Sequence, residues 1–279
     1  MKISNIDLNN EQLICAESSL NHNGSLDLAM KMIRVAKDAG CNAVKFQTYK
    51  TDEFCPRGSE YYETFKRCEL PDETWVKLGD ECARQGIIFL STPQNLSDLE
   101  RIHDLLPAIK VGSDDLTNYK LIREYAEYEK PIILSTGMSD IGEIGGAVEA
   151  CGDCPVAILV CTSLYPCPTD KANLGRLRTL RRHFPYCTIG FSDHTIGVEA
   201  AGIASALGAQ VLETHFTLDN SLPGPDHGFS KDPAMLKWWV ESIRRGREMM
   251  GTSRFELSQE EAENKALYQR ESGQELRTA

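Results

Sequence analysis

No apolar run in this chain of 279 residues comes near the ~18 residues that a bilayer-crossing helix requires, which argues against a membrane protein. The opening residues, Met1 to Asn10, lack the apolar core of a signal peptide, so the chain is expected to begin at its mature start and to stay cytoplasmic. A basic surplus is missing too. Lys and Arg number 30 against 41 Asp and Glu, a net charge of −11. Nucleic acid and anionic membrane surfaces bind through Lys/Arg patches that release counterions, so neither is expected as a partner. An anionic small substrate stays open, because a few lysines and serines can invert the field inside one cleft. Glycine, at 21 residues without period, excludes a collagen-like chain. Cys151 and Cys154 form a CGDC, but the second pair that a structural zinc site needs is lacking. The 10 cysteines are read as reduced thiols of a cytoplasmic protein.

What is present is an alternation. Short apolar runs recur at 13–18, 43–49, 87–93, 108–113, 131–137, 156–163, 188–195 and 209–218. Apolar on both faces, they read as parallel strands covered by helices. Ser25 caps a helix carrying Leu26, Met30, Ile33 and Ala36 on one face, stopped by Gly40. Pro71 opens another that ends at Gly86, and Leu236, Trp239, Val240 and Ile243 line the last one before Gly251. Eight β-then-α units in a chain of this length predict an α/β protein with a (β/α)8 TIM barrel over 1–251; a doubly wound open sheet is the weaker alternative. Residues 50–70 read as a long polar and aromatic loop. A helical tail is expected over 252–279, its one helix opened by a capping box of Ser258 and Glu261.

In such a barrel, active sites gather at the carboxyl ends of the strands. Those ends carry Glu17, then Lys45 and Gln47, then Ser91, then Lys110, Ser113 and Asp115. Further round come Ser135 and Thr136, Ser163 and Tyr165, Ser192 with Asp193 and His194, and finally Glu213 and His215. One lysine at a strand end is as well explained by a structural ion pair. Two lysines in one mouth with serines on the same rim point to a bound anion, most simply a phosphate. His194 and His215, at equivalent ends of adjacent strands, can reach a common divalent metal, with Asp193, Glu17 and Asp226 as nearby carboxylates. His22 lies where a loop folds over the mouth, as lid or ligand. His103 and His183 read as solvated surface residues.

These residues sit in strings that resemble the sialic acid synthase family, whose members make nonulosonic acids. The strings are AESSLNHNGSLDLA, AVKFQTY, FLSTP, IKVGSDDL, KPIILSTGMS, CTSLYPCP, IGFSDHT, ETHFTLD and GPDHGFSKDP, in the family's order from about residue 11 to 245. The resemblance implies a phosphoenolpyruvate-dependent transferase that condenses its substrate with an open-chain N-acylated hexosamine and releases phosphate. It implies that Lys45, Ser91, Lys110, Ser113, Ser135, Ser163 and Ser192 hold the phosphate and carboxylate of phosphoenolpyruvate. His194 and His215 would bind Mn2+ or Mg2+. Glu17, Gln47, Tyr165 and Asp226 would face the sugar, and Glu17 or Asp115 would act on the attacking water. A homodimer is implied as well.

The departures are specific. Relatives usually continue into an antifreeze-like C-terminal domain that helps recognise the N-acyl group; nothing after Arg254 resembles it, so a bare barrel or a truncated chain is expected. Without that domain, selectivity should depend on chain length and stereochemistry near the aldehyde. SSL after the first strand, Gln94 and Asn95 after the third, and Thr214 in the eighth also differ from the usual pattern. Three alternatives follow: another phosphoenolpyruvate-dependent keto-sugar-acid synthase, a Schiff-base aldolase using Lys45 or Lys110, and a non-catalytic anion-binding barrel.

Overall fold

A computed structural model describes residues 1–269. Met1–Met249 form one compact unit, and a second begins at Met250. The polar start of the chain is an antiparallel ribbon of β1 (Lys2–Ile3) and β2 (Ile6–Asp7). Its Ile3 and Ile6, with Leu8, are buried against Leu13, Ala43, Ile88, Ala108, Ile133 and Val211, near the amino ends of the barrel strands. The ribbon therefore plugs the bottom of the barrel, and only the carboxyl end is free to open as a mouth.

The predicted runs are the barrel strands: β3 (Leu13–Glu17), β4 (Ala43–Thr48), β5 (Ile88–Pro93), β6 (Ile109–Val111), β7 (Ile132–Ser135), β8 (Val156–Cys161), β9 (Thr188–Asp193) and β10 (Val211–His215). They pair in parallel in the order β5-β4-β3-β10-β9-β8-β7-β6. β5 and β6 lie in contact but share no ladder among the described residues, so the barrel is closed except for that one seam.

Helices follow the strands. α1 (Leu26–Asp38) starts at Ser25, whose hydroxyl accepts from Leu28 N at 3.3 Å. Its buried face is Ala29, Met32, Ile33 and Ala36, rotated slightly from the predicted stripe, with Leu26 and Met30 at its edge. The predicted loop over 50–70 instead contains α2 (Thr51–Phe54) and α3 (Tyr62–Cys68). They hold together through aromatic contacts: Phe65 meets Tyr49 edge-on at 5.5 Å and Phe54 at 5.0 Å. Helices so short show too little periodicity to be read from sequence.

α4 (Asp72–Gln85) begins after Pro71 and ends at Gly86, left-handed at φ 61°. α5 (Leu96–Ile102), α6 (Tyr119–Ala126), α7 (Ile141–Ala150), α8 (Arg176–His183) and α9 (Glu199–Ala206) complete the inner turns of the ring. α10 (Pro233–Met250) buries Leu236, Trp239, Val240 and Ile243 as predicted. In the C-terminal unit, α11 (Gln259–Tyr268) starts at the Ser258–Glu261 capping box.

Strand parity decides what reaches the mouth. Side chains alternate in and out along each strand, and the inward set starts with Leu13, Ala43, Ile88, Ala108, Ile133, Ala157 and Val211. Counting by twos from these brings Glu17, Lys45, Thr92, Lys110, Ser135, Cys161 and Glu213 to the inner face. Ala16, Val44, Phe46, Phe89 and Leu212, one residue off, belong instead to the layer between strands and helices.

Candidate active site

The inward set closes around a cavity of about 490 Å3 at the carboxyl ends of the strands. At its floor two ammonium groups meet two carboxylates. Lys45 Nζ touches Glu17 Oε2, lies 3.7 Å from Glu213 Oε2 and donates to Thr92 Oγ1 at 3.1 Å. Lys110 Nζ donates to Ser135 Oγ at 2.8 Å and to Val111 O at 3.2 Å, and lies 3.9 Å from Glu213 Oε1. All four side chains are almost completely buried.

Burial and charge then split the carboxylates. Burial, reinforced by the Glu213 charge, outweighs Lys45 and pushes Glu17 up to about 7. Burial pushes Glu213 up as well, but Lys110, Lys45 and the Ser192 hydroxyl pull harder and hold it below the usual range. Lys45 sits above its ordinary value because Glu17 and Glu213 overcome its burial. Lys110 falls below, through burial and the like charge of Lys45, against the pull of Glu213. Two carboxyls driven apart in this way suit two roles, Glu17 for moving a proton and Glu213 as fixed charge.

Hydroxyls crowd the same floor. Ser163 Oγ is buried with no hydrogen-bond partner, an unspent donor in the cavity lining. Ser113 Oγ accepts from Gly137 N at 3.0 Å. A Cβ on Gly137 would stand 2.1 Å from Ser163 Oγ and 2.8 Å from Ser113 Oγ, so only glycine lets these hydroxyls converge. Ser192 Oγ donates to Glu213 Oε1 at 3.1 Å.

Two imidazoles form part of the wall. The rings of His194 and His215 stand 5.3 Å apart at 70°. Tyr165 packs on both, at 4.2 Å and 5.6 Å, and Phe229 packs on His215 and Tyr165, each at 5.3 Å. His194 Nδ1 donates to Thr162 O at 2.8 Å, which fixes the ring, and Nε2 turns toward Ser192 Oγ at 3.5 Å. His215 Nδ1 is buried without a partner. Burial first, then the charges of His194 and the nearby lysines, depress the His215 pKa well below its usual value and keep the ring neutral. These are the features of metal-ligating histidines: a backbone bond fixing one tautomer, and an orphaned nitrogen on the other ring. Among the described residues no cluster of three or more His, Cys, Asp or Glu is placed to hold a metal. A divalent ion held by the dyad would have to take its remaining ligands from substrate or water.

Of the residues predicted for the site, Glu17, Lys45, Gln47, Lys110, Ser113 and Ser135 line the cavity, as do Ser163, Tyr165, Ser192, His194, His215 and Asp226. Gln47 Nε2 donates to Ser19 Oγ at 3.3 Å, and Ser19 Oγ donates to Asp226 Oδ2. Two predicted members fall elsewhere. Ser91 has outward parity: its hydroxyl meets Thr48 Oγ1 at 2.7 Å and donates to Phe46 O at 3.1 Å, and Thr92 takes the inward place. Asp115 is turned aside, accepting from Asn118 Nδ2 at 3.1 Å, and its neighbour Asp114 lines the cavity.

Asp193, a proposed metal neighbour, also points outward. It accepts from Trp239 Nε1 at 2.8 Å and lies 3.7 Å from Lys231 Nζ. Lys231 in turn donates to Thr214 Oγ1 at 3.0 Å. His22 is neither lid nor ligand: it is 1% exposed, off the cavity lining, with burial lowering its pKa to about 4. Missed were Thr92, Gly137 and Cys161; the aromatic 50–70 segment does line the cavity, through Phe54, Tyr61 and Phe65. Thr92 and Cys161 follow from strand parity once the inward set is known, and nothing in the sequence points to Gly137. All ten cysteines are free thiols.

Fold and mouth together define a (β/α)8-barrel enzyme for a small anionic substrate. The model of the NeuB family matches residues 32–255, and the chain belongs to that family of nonulosonate synthases. It is accordingly a transferase that forms a C–C bond from phosphoenolpyruvate. The N,N'-diacetyllegionaminic acid synthase of Legionella pneumophila is 35% identical over 96% of this chain and 82% of its own. An uncharacterized protein of Methanocaldococcus jannaschii is 44% identical over 86% of this chain and 72% of its own. The N-acetylneuraminic acid synthetase of Leptospira borgpetersenii serovar Hardjo-bovis, solved in complex with citrate, superposes with a TM-score of 0.89 at 33% identity, covering 97% of this chain and 98% of that one. No helix among the described residues is long and apolar enough to cross a membrane.

Proposed function

We propose that the enzyme adds phosphoenolpyruvate to the aldehyde of an open-chain, N-acylmannosamine-like sugar, giving a 3-deoxy-2-keto acid of the nonulosonate type and inorganic phosphate. The observation that carries this reading is the cavity, where Lys45 and Lys110 stand against Thr92 and Ser135 and the unpaired Ser163 hydroxyl shares the lining. An anion with several oxygens satisfies those donors and adds to the charge balance set by Glu17 and Glu213. The name and coverage of the Legionella relative support a nonulosonate product.

In this reading Lys45, Lys110 and the serines bind the phosphate and carboxylate of phosphoenolpyruvate, leaving C3 toward the imidazole wall. His194 and His215 hold Mn2+ or Mg2+, which when bound supplies Lewis-acid polarisation to the aldehyde carbonyl. C3 attacks the aldehyde carbon, positive charge develops at C2, and the former aldehyde oxygen takes up the proton that Glu17 removes from the attacking water. Glu17, whose carboxyl titrates near neutrality, takes a proton from the water that adds at C2. Collapse of the tetrahedral centre breaks the C2–O bond to phosphate, the C2 hydroxyl proton leaves with that phosphate, and the lysines stabilise the departing charge. Tyr165, packed on both imidazoles, keeps them oriented and shields them from bulk water.

Phosphate release from phosphoenolpyruvate, followed with and without N-acetylmannosamine and with divalent metal present, tests the reaction. Sugar-dependent release is expected. Borohydride trapping of pyruvate on Lys45 or Lys110 would instead support the Schiff-base alternative.

A further inference from the structure

The two imidazoles sit where the sheet stops holding them together. The ladder between β9 and β10 ends at Thr214 opposite Asp193, so His194 lies beyond its last rung. His215 is paired on its other side, opposite Glu17 of β3. The ladder alone therefore does not set one ring against the other.

A buried ammonium behind the strands supplies the link. Lys231 stands just before α10, and its backbone N donates to His215 O at 3.0 Å. Its Nζ donates to Thr214 Oγ1 at 3.0 Å and to Thr195 O at 2.9 Å, and lies 3.7 Å from Asp193 Oδ2. Lys231 thus touches the residues on both sides of His194 and the one before His215. Asp193 completes the network. Its Oδ1 accepts from Thr195 N at 2.9 Å and Thr195 Oγ1 at 2.7 Å, its Oδ2 from Trp239 Nε1 at 2.8 Å, and its carbonyl from Thr214 Oγ1 at 2.9 Å. Lys231, Asp193 and Thr214 are at most 2% exposed, and none of them lines the cavity.

Stability does not account for a charged pair in that place. Two ions taken out of water recover little more than their desolvation cost, and a packed apolar pair of similar volume does as well or better. What the pair provides is direction, through donors and acceptors that meet both strand ends at fixed positions. Resting on the reading of His194 and His215 as metal ligands, we infer that Lys231 and Asp193 are positioning residues for that dyad, clamping its two strand ends from the outer face. They touch neither metal nor substrate and act through the main chain beside each ring. Groups outside the ligand set that orient metal-bound imidazoles govern affinity in the same way.

Variants of the full chain test it: Lys231→Met, Lys231→Met combined with Asp193→Asn, and Thr214→Val, which cuts the bonds to Lys231 and to Asp193 O without removing a charge. Lys231→Met leaves Asp193 buried without its cation, so its folding is the most at risk. The double variant decides where it folds, and Thr214→Val where it does not. Mn2+ affinity is read by calorimetric titration, and kcat and KM for phosphoenolpyruvate by phosphate release at saturating metal. Mn2+ should bind roughly 10–100-fold more weakly, with a fall in kcat. KM for phosphoenolpyruvate should stay within about threefold of wild type, because Lys45 and Lys110 are untouched. Mn2+ affinity and kcat both within about threefold of wild type in the deciding variant would overturn the inference and leave the metal dyad standing. A rise in KM as large as the fall in kcat would overturn it as well, by showing a general distortion of the mouth. Mn2+ affinity unchanged in His194→Ala and His215→Ala would overturn the dyad itself and this inference with it.

Discussion

Lys45→Met removes one ammonium group from between two buried carboxylates and leaves the side-chain volume nearly unchanged. Glu213 keeps Lys110 at 3.9 Å; Glu17 loses its contact cation and keeps only the weaker pull of Lys110. Orphaning a buried charge costs about 3–5 kcal/mol unless the group takes up a proton. Glu17 already titrates at about 7 with Lys45 beside it, because burial and Glu213 dominate, so without Lys45 it moves higher. The sign of the pH dependence follows. A carboxyl whose folded pKa lies above its unfolded value of 4.5 costs nothing below that value and costs progressively more as pH rises towards its folded pKa.

Lys45→Met should therefore follow the pH dependence of the wild type up to about pH 7 and lose a further ~1.4 kcal/mol for each pH unit above it, until its own higher folded pKa is reached. Adding Glu17→Gln removes the orphaned charge and should restore most of the loss at high pH. Binding of phosphoenolpyruvate should weaken by about 2–5 kcal/mol at any pH, the range for removing one partner of a buried charge pair. Thermal unfolding at pH 6 and pH 8, with calorimetric titration of phosphoenolpyruvate into the wild type, the single variant and the double variant, measures both effects. Phosphoenolpyruvate affinity within about threefold of wild type would refute the charge assignment. A stability loss that is equal at both pH values and untouched by Glu17→Gln would refute the account of the pair.

His194→Ala or His215→Ala should lower affinity for divalent metal and abolish turnover while the barrel still unfolds cooperatively; full activity in EDTA would sink the dyad. The kcat/KM profile should rise with pH through an apparent value near that of Glu17, held up to about 7 chiefly by burial, since a base works when deprotonated. Glu17→Gln should lose most activity, and what remains should lack that limb. Ser91→Ala should cost about 1–2 kcal/mol of stability through its bonds to Thr48 and Phe46, with KM for phosphoenolpyruvate unchanged. Thr92→Ala should raise that KM, and the reverse ranking would contradict the strand parity.

The barrel and most of its mouth are legible in the chain alone. Parallel strands covered on both faces must be apolar throughout, so all eight stand out as short runs, and a barrel puts whatever polar groups end them into one place. Lys45, Lys110, His194 and His215 are therefore found by position, before any distance is known. The terminal capping box and the Gly86 stop are legible for a similar reason: each acts within a few residues of chain. Tertiary structure decided the rest. A residue's parity depends on how its strand is registered against its neighbours, so Ser91 and Thr92, adjacent and chemically alike, could be told apart only once the inward set was known. The titration of Glu17 depends on Glu213 and Lys45, which are remote in sequence and meet only across the ladder joining β10, β3 and β4. The α2–α3 wall is held by aromatic contacts and ion pairs within its own segment rather than by helix periodicity, so its aromatic character is legible in the chain but its helices are not. Chemistry written at the ends of strands is read by counting; chemistry made by what those ends face is created only when the barrel closes.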